Sequence, residues 1–132
     1  MTNEEILEGN KLIANFLGES VQEVRLSKDV TLLAYGEEDE MPDYVNIVYF
    51  QPDCDWNILM FTIDKISKVG NYDIRIHIYG SELETFSDIM DETNDDCLEV
   101  SCIHNNFDIP TIITVYKSVI EFIKWYNNQP KS

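Results

Sequence analysis

An α+β fold is predicted: a single domain over residues 1–132, with a largely antiparallel sheet of about five strands packed against three helices in the order α-β-β-β-α-β-β-β-α. Three observations predict it. Three segments carry apolar residues at helical spacing. The runs between them alternate apolar and polar with period two. The connections between neighbouring runs are short enough for hairpins, which favours antiparallel pairing. A length of 132 residues suits one domain, and 44% hydrophobic residues supply a core without metal or disulfide help.

The first helix is predicted over Thr2–Leu17. Thr2 with Glu5 forms a capping box, and Glu4, Glu5 and Glu8 lie where the helix dipole favours negative charge. Ile6, Ile13, Phe16 and Leu17 make its buried stripe, and Gly18 supplies a left-handed stop. Val21–Leu26 and Val30–Tyr35 read as a hairpin around Ser27–Asp29, and Tyr44–Phe50 as a further strand. The second helix is predicted from about Cys54 to Val69, capped by Asp53 or Asp55 and stopped by Gly70. Its stripe is Trp56, Leu59, Ile63 and Ile66, widened by Ile58 and Met60.

Tyr72–Tyr79 gives the clearest strand signal: Tyr72, Ile74, Ile76 and Ile78 alternate with Asp73, Arg75, His77 and Tyr79. Ser81–Met90 and Cys97–Ile103 are further strands, although Leu83, Phe86 and Met90 also fit a helical turn. The third helix is predicted from about Ile109 to Asn128, opened by Asp108 and Pro110. Ile112, Ile113, Tyr116, Val119, Ile120, Ile123 and Tyr126 form its apolar face. Lys117 and Glu121 are spaced to pair, and Phe122 and Trp125 flank the stripe as core edge or as a contact between two copies.

The formal net charge is −16, from 25 acidic against 9 basic residues. A field of that sign repels nucleic acid and anionic lipid and steers a basic protein partner toward the chain. It also keeps a protein soluble with no partner at all. The acidic loops Glu37, Glu38, Asp39, Glu40 and Asp43, and Asp91, Glu92, Asp95 and Asp96, are the candidate partner-binding surface. Met1–Glu8 is acidic and lacks an apolar run, which predicts no secretory leader and a cytoplasmic setting. Three cysteines (Cys54, Cys97 and Cys102) with no C-x-x-C spacing predict reduced thiols.

No pattern of a catalytic or cofactor-binding motif is present, so no catalytic residue, cofactor or resident metal is predicted. Asp88, Asp91, Asn94, Asp95, Asp96 and Glu99 form an oxygen-rich run suited to a divalent ion, and they carry the alternative reading of a small metal-dependent enzyme. The run lacks the glycine and the spacing of an EF-hand loop, which favours a solvated turn over a metal site. Arg75, His77 and Tyr79 form a small polar patch that suits an anion, or the wet side of a sheet. His104, with Asn105 and Asn106, reads as a turn. Asp53 and Asp55 flank Cys54, and Asp95 and Asp96 precede Cys97, which disfavours both thiolates.

Three blocks carry a resemblance: Gly9–Gly18 (GNKLIANFLG), Asp55–Ile66 (DWNILMFTIDKI) and Val119–Asn127 (VIEFIKWYN). In this order and spacing they resemble a family of small proteins from gut anaerobes and their phages whose members read GNKLIAEFMG, DWLMPVVEKIE and VVEFIKWYN. Here Asn57 stands as an insertion before Ile58, and Phe61 and Thr62 stand in place of Pro-Val. The resemblance implies a phage-type α-β-α sandwich domain and a setting among mobile elements and their conflicts with host enzymes. It implies no catalytic residue. The blocks also have a plain physical reading, in which Trp56 and Trp125 are large rings whose burial at helix ends stabilises packing. Sequence alone thus favours an acidic interaction protein, in sharper form an inhibitor that occupies the basic surface of a nucleic-acid-handling partner.

Overall fold

A computed structural model describes residues 1–36, 47–70, 72–79, 84–91, 100–104 and 111–128, with the backbone alone for 73–79, 84–91, 100–104 and 111. The fold is α+β, with three helices and antiparallel strand pairing. The elements are α1 (Asn3–Leu17), β1 (Val21–Arg25), β2 (Thr31–Tyr35), α2 (Trp56–Val69), β3 (Tyr72–Tyr79), β4 (Glu84–Asp91), β5 (Val100–His104) and α3 (Thr111–Asn127). None of the described helices is long and apolar enough to cross a membrane.

Helix α1 begins and ends as its sequence dictates. The Glu5 N–H donates to Thr2 Oγ1 at 3.1 Å and the Thr2 N–H donates to Glu5 Oε1 at 3.2 Å, so two otherwise orphaned donors are satisfied reciprocally. Gly18 closes the helix at φ 74°, a left-handed conformation that a residue with a Cβ adopts only at a cost. The chain then turns directly into the β1–β2 hairpin, whose register runs from Val21 opposite Tyr35 to Arg25 opposite Thr31. Arg25 steadies the hairpin loop by donating to the carbonyls of Ser27 and Lys28, each at 3.2 Å.

The described strands fall into two sheets, β1-β2 and β3-β4-β5, where one sheet was expected. The smaller sheet continues at β2. Its second edge is taken by the segment around Tyr49, which bridges Ala34, while the Phe50 N–H donates to the Leu33 carbonyl at 2.8 Å. Tyr49 makes an isolated bridge instead of the expected strand over Tyr44–Phe50, of which 44–46 lie outside the described residues. Strand β3 spans the predicted residues, β4 pairs antiparallel with it, and β5 pairs antiparallel with β4. His104, read as part of a turn, is the last residue of β5.

Helix α2 starts at Trp56, later than predicted, because Pro52–Cys54 form a turn and Asp55 is the cap, accepting from the Asn57 N–H at 2.9 Å. Its buried face is Leu59, Thr62 and Ile66. Thr62 fits there because its hydroxyl donates to the Ile58 carbonyl one turn back, at 2.8 Å. Trp56 and Met60, both expected in the core, are exposed; Trp56 is 42% accessible. Gly70 closes the helix as predicted, in an extended conformation at φ −168° and ψ −164°. It is needed for space, since a Cβ there would stand 2.6 Å from the Tyr72 ring.

Helix α3 is the hub of the core. Its residues Val115, Tyr116, Val119, Ile120, Phe122 and Ile123 are buried and join Ile13 and Ala14 of α1, Leu33 of β2, Phe50, and Leu59 and Ile66 of α2. The helix also packs on β4 and β5. Phe122 is 0% accessible, which removes it from any surface between two copies. Its ring lies 4.9 Å from Tyr72 and 6.5 Å from Phe16, both edge-on, and 5.8 Å from Trp125, which is partly buried. Tyr126, expected in the buried stripe, is exposed and stacks on Phe122 from outside. Asp108 and Pro110, the expected start of the helix, lie outside the described residues.

Candidate functional site

Most of the acidic surface expected from sequence falls outside what the structure describes: Glu37, Glu38, Asp39, Glu40, Asp43, Glu92, Asp95 and Asp96 lie outside the described residues, as do Asn94 and Glu99. Asp91 is the last residue of β4, in register with Tyr72. Arg75, His77 and Tyr79 occupy alternate positions of β3, in register with Asp88, Phe86 and Glu84. Asp88 in turn pairs with Ser101 of β5. Among the described residues no group of three or more His, Cys, Asp or Glu is arranged to hold a metal ion.

Cys54 is exposed in the turn before α2. Partial desolvation, then the charges of Asp53 and Asp55, push its thiol up from its ordinary value, so the thiolate is disfavoured. Cys102 lies in β5, and Cys97 is outside the described residues.

The sharpest polar geometry lies where α1, α3 and the turn before α2 meet. The Asn10 amide donates from Nδ2 to Asp53 Oδ1 at 3.0 Å. The Tyr116 hydroxyl shares its proton between Asn10 Oδ1 at 2.8 Å and the Ile6 carbonyl at 3.0 Å. Asn10 and Tyr116 are both buried, and burial followed by the Asp53 charge pushes the tyrosine up in pKa, so it stays protonated. Gly9 makes the arrangement possible, since a Cβ there would stand 2.2 Å from the Tyr116 hydroxyl oxygen. These residues were not singled out as a site from sequence. The available signal was Gly9-Asn10 in mid-helix, two poor helix formers at a place where only a close approach and a buried hydrogen bond reward them. The junction is an architectural lock, because its hydrogen bonds tie α1 to α3 and to the turn before α2.

Beside the lock, α1 and α3 diverge into an open groove of about 710 Å³. Gly9, Leu12 and Ile120 form its floor. Glu4, Glu5 and Glu8 line the α1 edge, and Lys117, Glu121 and Lys124 the α3 edge. Glu5 is held below its ordinary value by the hydrogen bond to the Thr2 backbone, then by the Thr2 hydroxyl. Glu121 pairs with Lys124 at 3.6 Å, where sequence spacing suggested Lys117.

Many of the described cations are used inside the chain. Lys11 bridges Glu8, at 3.3 Å, and Glu23, and these carboxylates, Glu23 first, hold it above its ordinary value. Lys68 pairs with Asp64 at 2.7 Å. Lys65 donates to the Phe16 carbonyl and lies 5.0 Å over the Phe16 ring. Comparison with family models, curated proteins and solved structures finds no match.

Proposed function

We propose that the chain is a non-catalytic acidic interaction protein that binds a basic protein partner. The observation that carries this is the net charge of −16. Lys11, Lys68 and Lys124 are paired within the chain, and Arg25 and Lys65 are spent on its own carbonyls. Twenty-five acidic residues against nine basic ones leave a carboxylate excess, which raises the encounter rate with a basic surface and repels nucleic acid.

In its sharper form the protein is an inhibitor whose carboxylates take the place of phosphates on a nucleic-acid-handling protein. The likeness of its three helical blocks to a phage-associated family supports an anti-defence or immunity role in the cytoplasm, carried by one domain holding both sheets. The acidic loops at Glu37–Asp43 and Asp91–Asp96 belong to the proposed surface. The test is retention of basic proteins from a native lysate at about 50 mM and about 500 mM salt, followed by competition between this chain and duplex DNA for whichever protein is retained. Salt-sensitive retention with displacement of DNA is expected. A lysate that yields no basic protein at the lower salt overturns the proposal.

A further inference from the structure

A cavity of about 90 Å³ lies where α1 faces the β1–β2 hairpin and the turn before α2. Ile6, Leu7 and Leu32 give it aliphatic walls, and Asn3, Thr31 and Asp53 add polar ones. Asp53 is half-buried. One of its oxygens accepts from the buried Asn10 amide at 3.0 Å, and among the described residues no cation pairs with it. The side chains of Asn3 and Thr31 likewise meet no hydrogen-bond partner among the described residues. A carboxylate drawn partly out of water is favoured by a cation beside it, and an aliphatic wall is favoured by an apolar stem.

The donor count selects the cation. A divalent ion takes about six oxygens, more than these three side chains offer. A guanidinium gains most from gripping both oxygens of a carboxylate, and Asn10 already holds one of them. An ammonium has three donors, which match a carboxylate oxygen, a hydroxyl and an amide oxygen. The cavity has the room of about three waters, enough for such a head and a short stem. We infer that this cavity binds a primary ammonium group on an unbranched alkyl stem, with Asp53 as its counter-ion and Thr31 and Asn3 as further acceptors. A lysine of a basic partner and a free alkylamine carry the same group. The lysine source rests on the acidic-interaction reading and gives it a site at the lock, since Asp53 is joined to Tyr116 through Asn10.

The probe is n-butylammonium, exchanged for tetramethylammonium at a constant ionic strength of about 150 mM, so that general screening of the chain's charge cancels. Binding to the full chain is read from backbone amide NMR signals. Saturable shifts at Thr31 and Asp53 are expected. Asp53→Asn, which keeps an oxygen for Asn10, is expected to weaken binding about tenfold, Thr31→Val about threefold, and the distant Glu19→Gln less than about twofold. The remaining signals confirm that each variant keeps its fold. Nα-acetyl-lysine amide, with its Nε-acetylated form as control, then separates the two sources. Binding of the lysine amide and not of the control supports a partner lysine. Binding of butylammonium alone overturns the lysine source and assigns the site to a free amine. Failure of both ammonium probes to bind, or equal affinity in the parent and Asp53→Asn, overturns the cavity as a site. Retention of basic proteins from a lysate decides the wider reading separately.

Discussion

Two helices that look alike in sequence behave differently in the fold. Both α1 and α2 are amphipathic, and each carries a compact sequence block, Gly9–Gly18 in α1 and Asp55–Ile66 in α2. In α1 the block is an instrument of packing: Gly9, Asn10, Ile13 and Ala14 are the buried residues, and the first two exist to admit and satisfy Tyr116. In α2 the block's aromatic residue, Trp56, is 42% accessible, and Phe61 is 61% accessible. Amphipathic spacing therefore accompanies a packing constraint in one helix and an outward-facing aromatic feature in the other. Mutation separates the two, beginning where the constraint is tightest.

Gly9→Ala gives the largest expected effect. In an unconstrained helix interior, alanine is favoured over glycine by about 1 kcal/mol. Here the added Cβ meets the Tyr116 oxygen at 2.2 Å and Ile120 Cδ1 at 3.0 Å, so the sign reverses and the variant loses about 2–3 kcal/mol in urea unfolding. Adding Tyr116→Phe removes the closest atom and restores about half of that loss, a coupling that a double-mutant cycle reads directly. A stabilising Gly9→Ala would break the comparison at its root.

Asn10→Ala comes next, at about 1–3 kcal/mol, because it leaves the Tyr116 hydroxyl with the Ile6 carbonyl alone and strips Asp53 of its donor. Tyr116 also gives the lock a pH signature. Its pKa is raised in the folded state, so its contribution is complete below the ordinary value of 10.0 and is lost as the pH rises toward the folded value. Stability measured across that alkaline range should fall in the parent and fall less in Tyr116→Phe.

The capping box of α1 has a smaller effect. Thr2→Ala is expected to cost about 1 kcal/mol of helix anchoring. The pKa of Glu5 is depressed, so the part of the cap that depends on its charge is present above its ordinary value of 4.5 and is lost as the pH falls through the folded value. The acid limb of the stability profile should therefore flatten in Glu5→Gln and keep most of its slope in Thr2→Ala, which retains the Thr2 N–H, read from thermal midpoints between about pH 6 and pH 3.

What was legible in the sequence was local. The Thr2–Glu5 box, the Gly18 stop, the Val21–Tyr35 hairpin and the bounds of β3 all follow from residues within a few positions of one another. The lock was not legible, because Asn10 and Tyr116 are brought together by tertiary packing across 106 positions. Gly70 was legible as the stop of α2, while the close approach of the Tyr72 ring that keeps a side chain out was not. The groove was hidden for the same cause as the lock. Glu4, Glu8 and Leu12 announce one face of α1, and only the packing of α3 turns that face into an edge and a floor.

The smallest expected effect tests the outward side of α2. Trp56 and Met60 are one turn apart and Phe61 follows, all exposed, whereas Leu59, Thr62 and Ile66 take the opposite face into the core. Replacing an exposed side chain removes little apolar surface from a dry environment, so Trp56→Gln and Phe61→Gln should each change unfolding free energy by no more than about 0.5 kcal/mol. Leu59→Ala, three residues along the same helix and fully buried, should cost about 2–5 kcal/mol by comparison. A loss of more than about 1 kcal/mol in Trp56→Gln would mean that the indole is covered in solution, and would place the α2 block beside the α1 block as a packing element instead of opposite it.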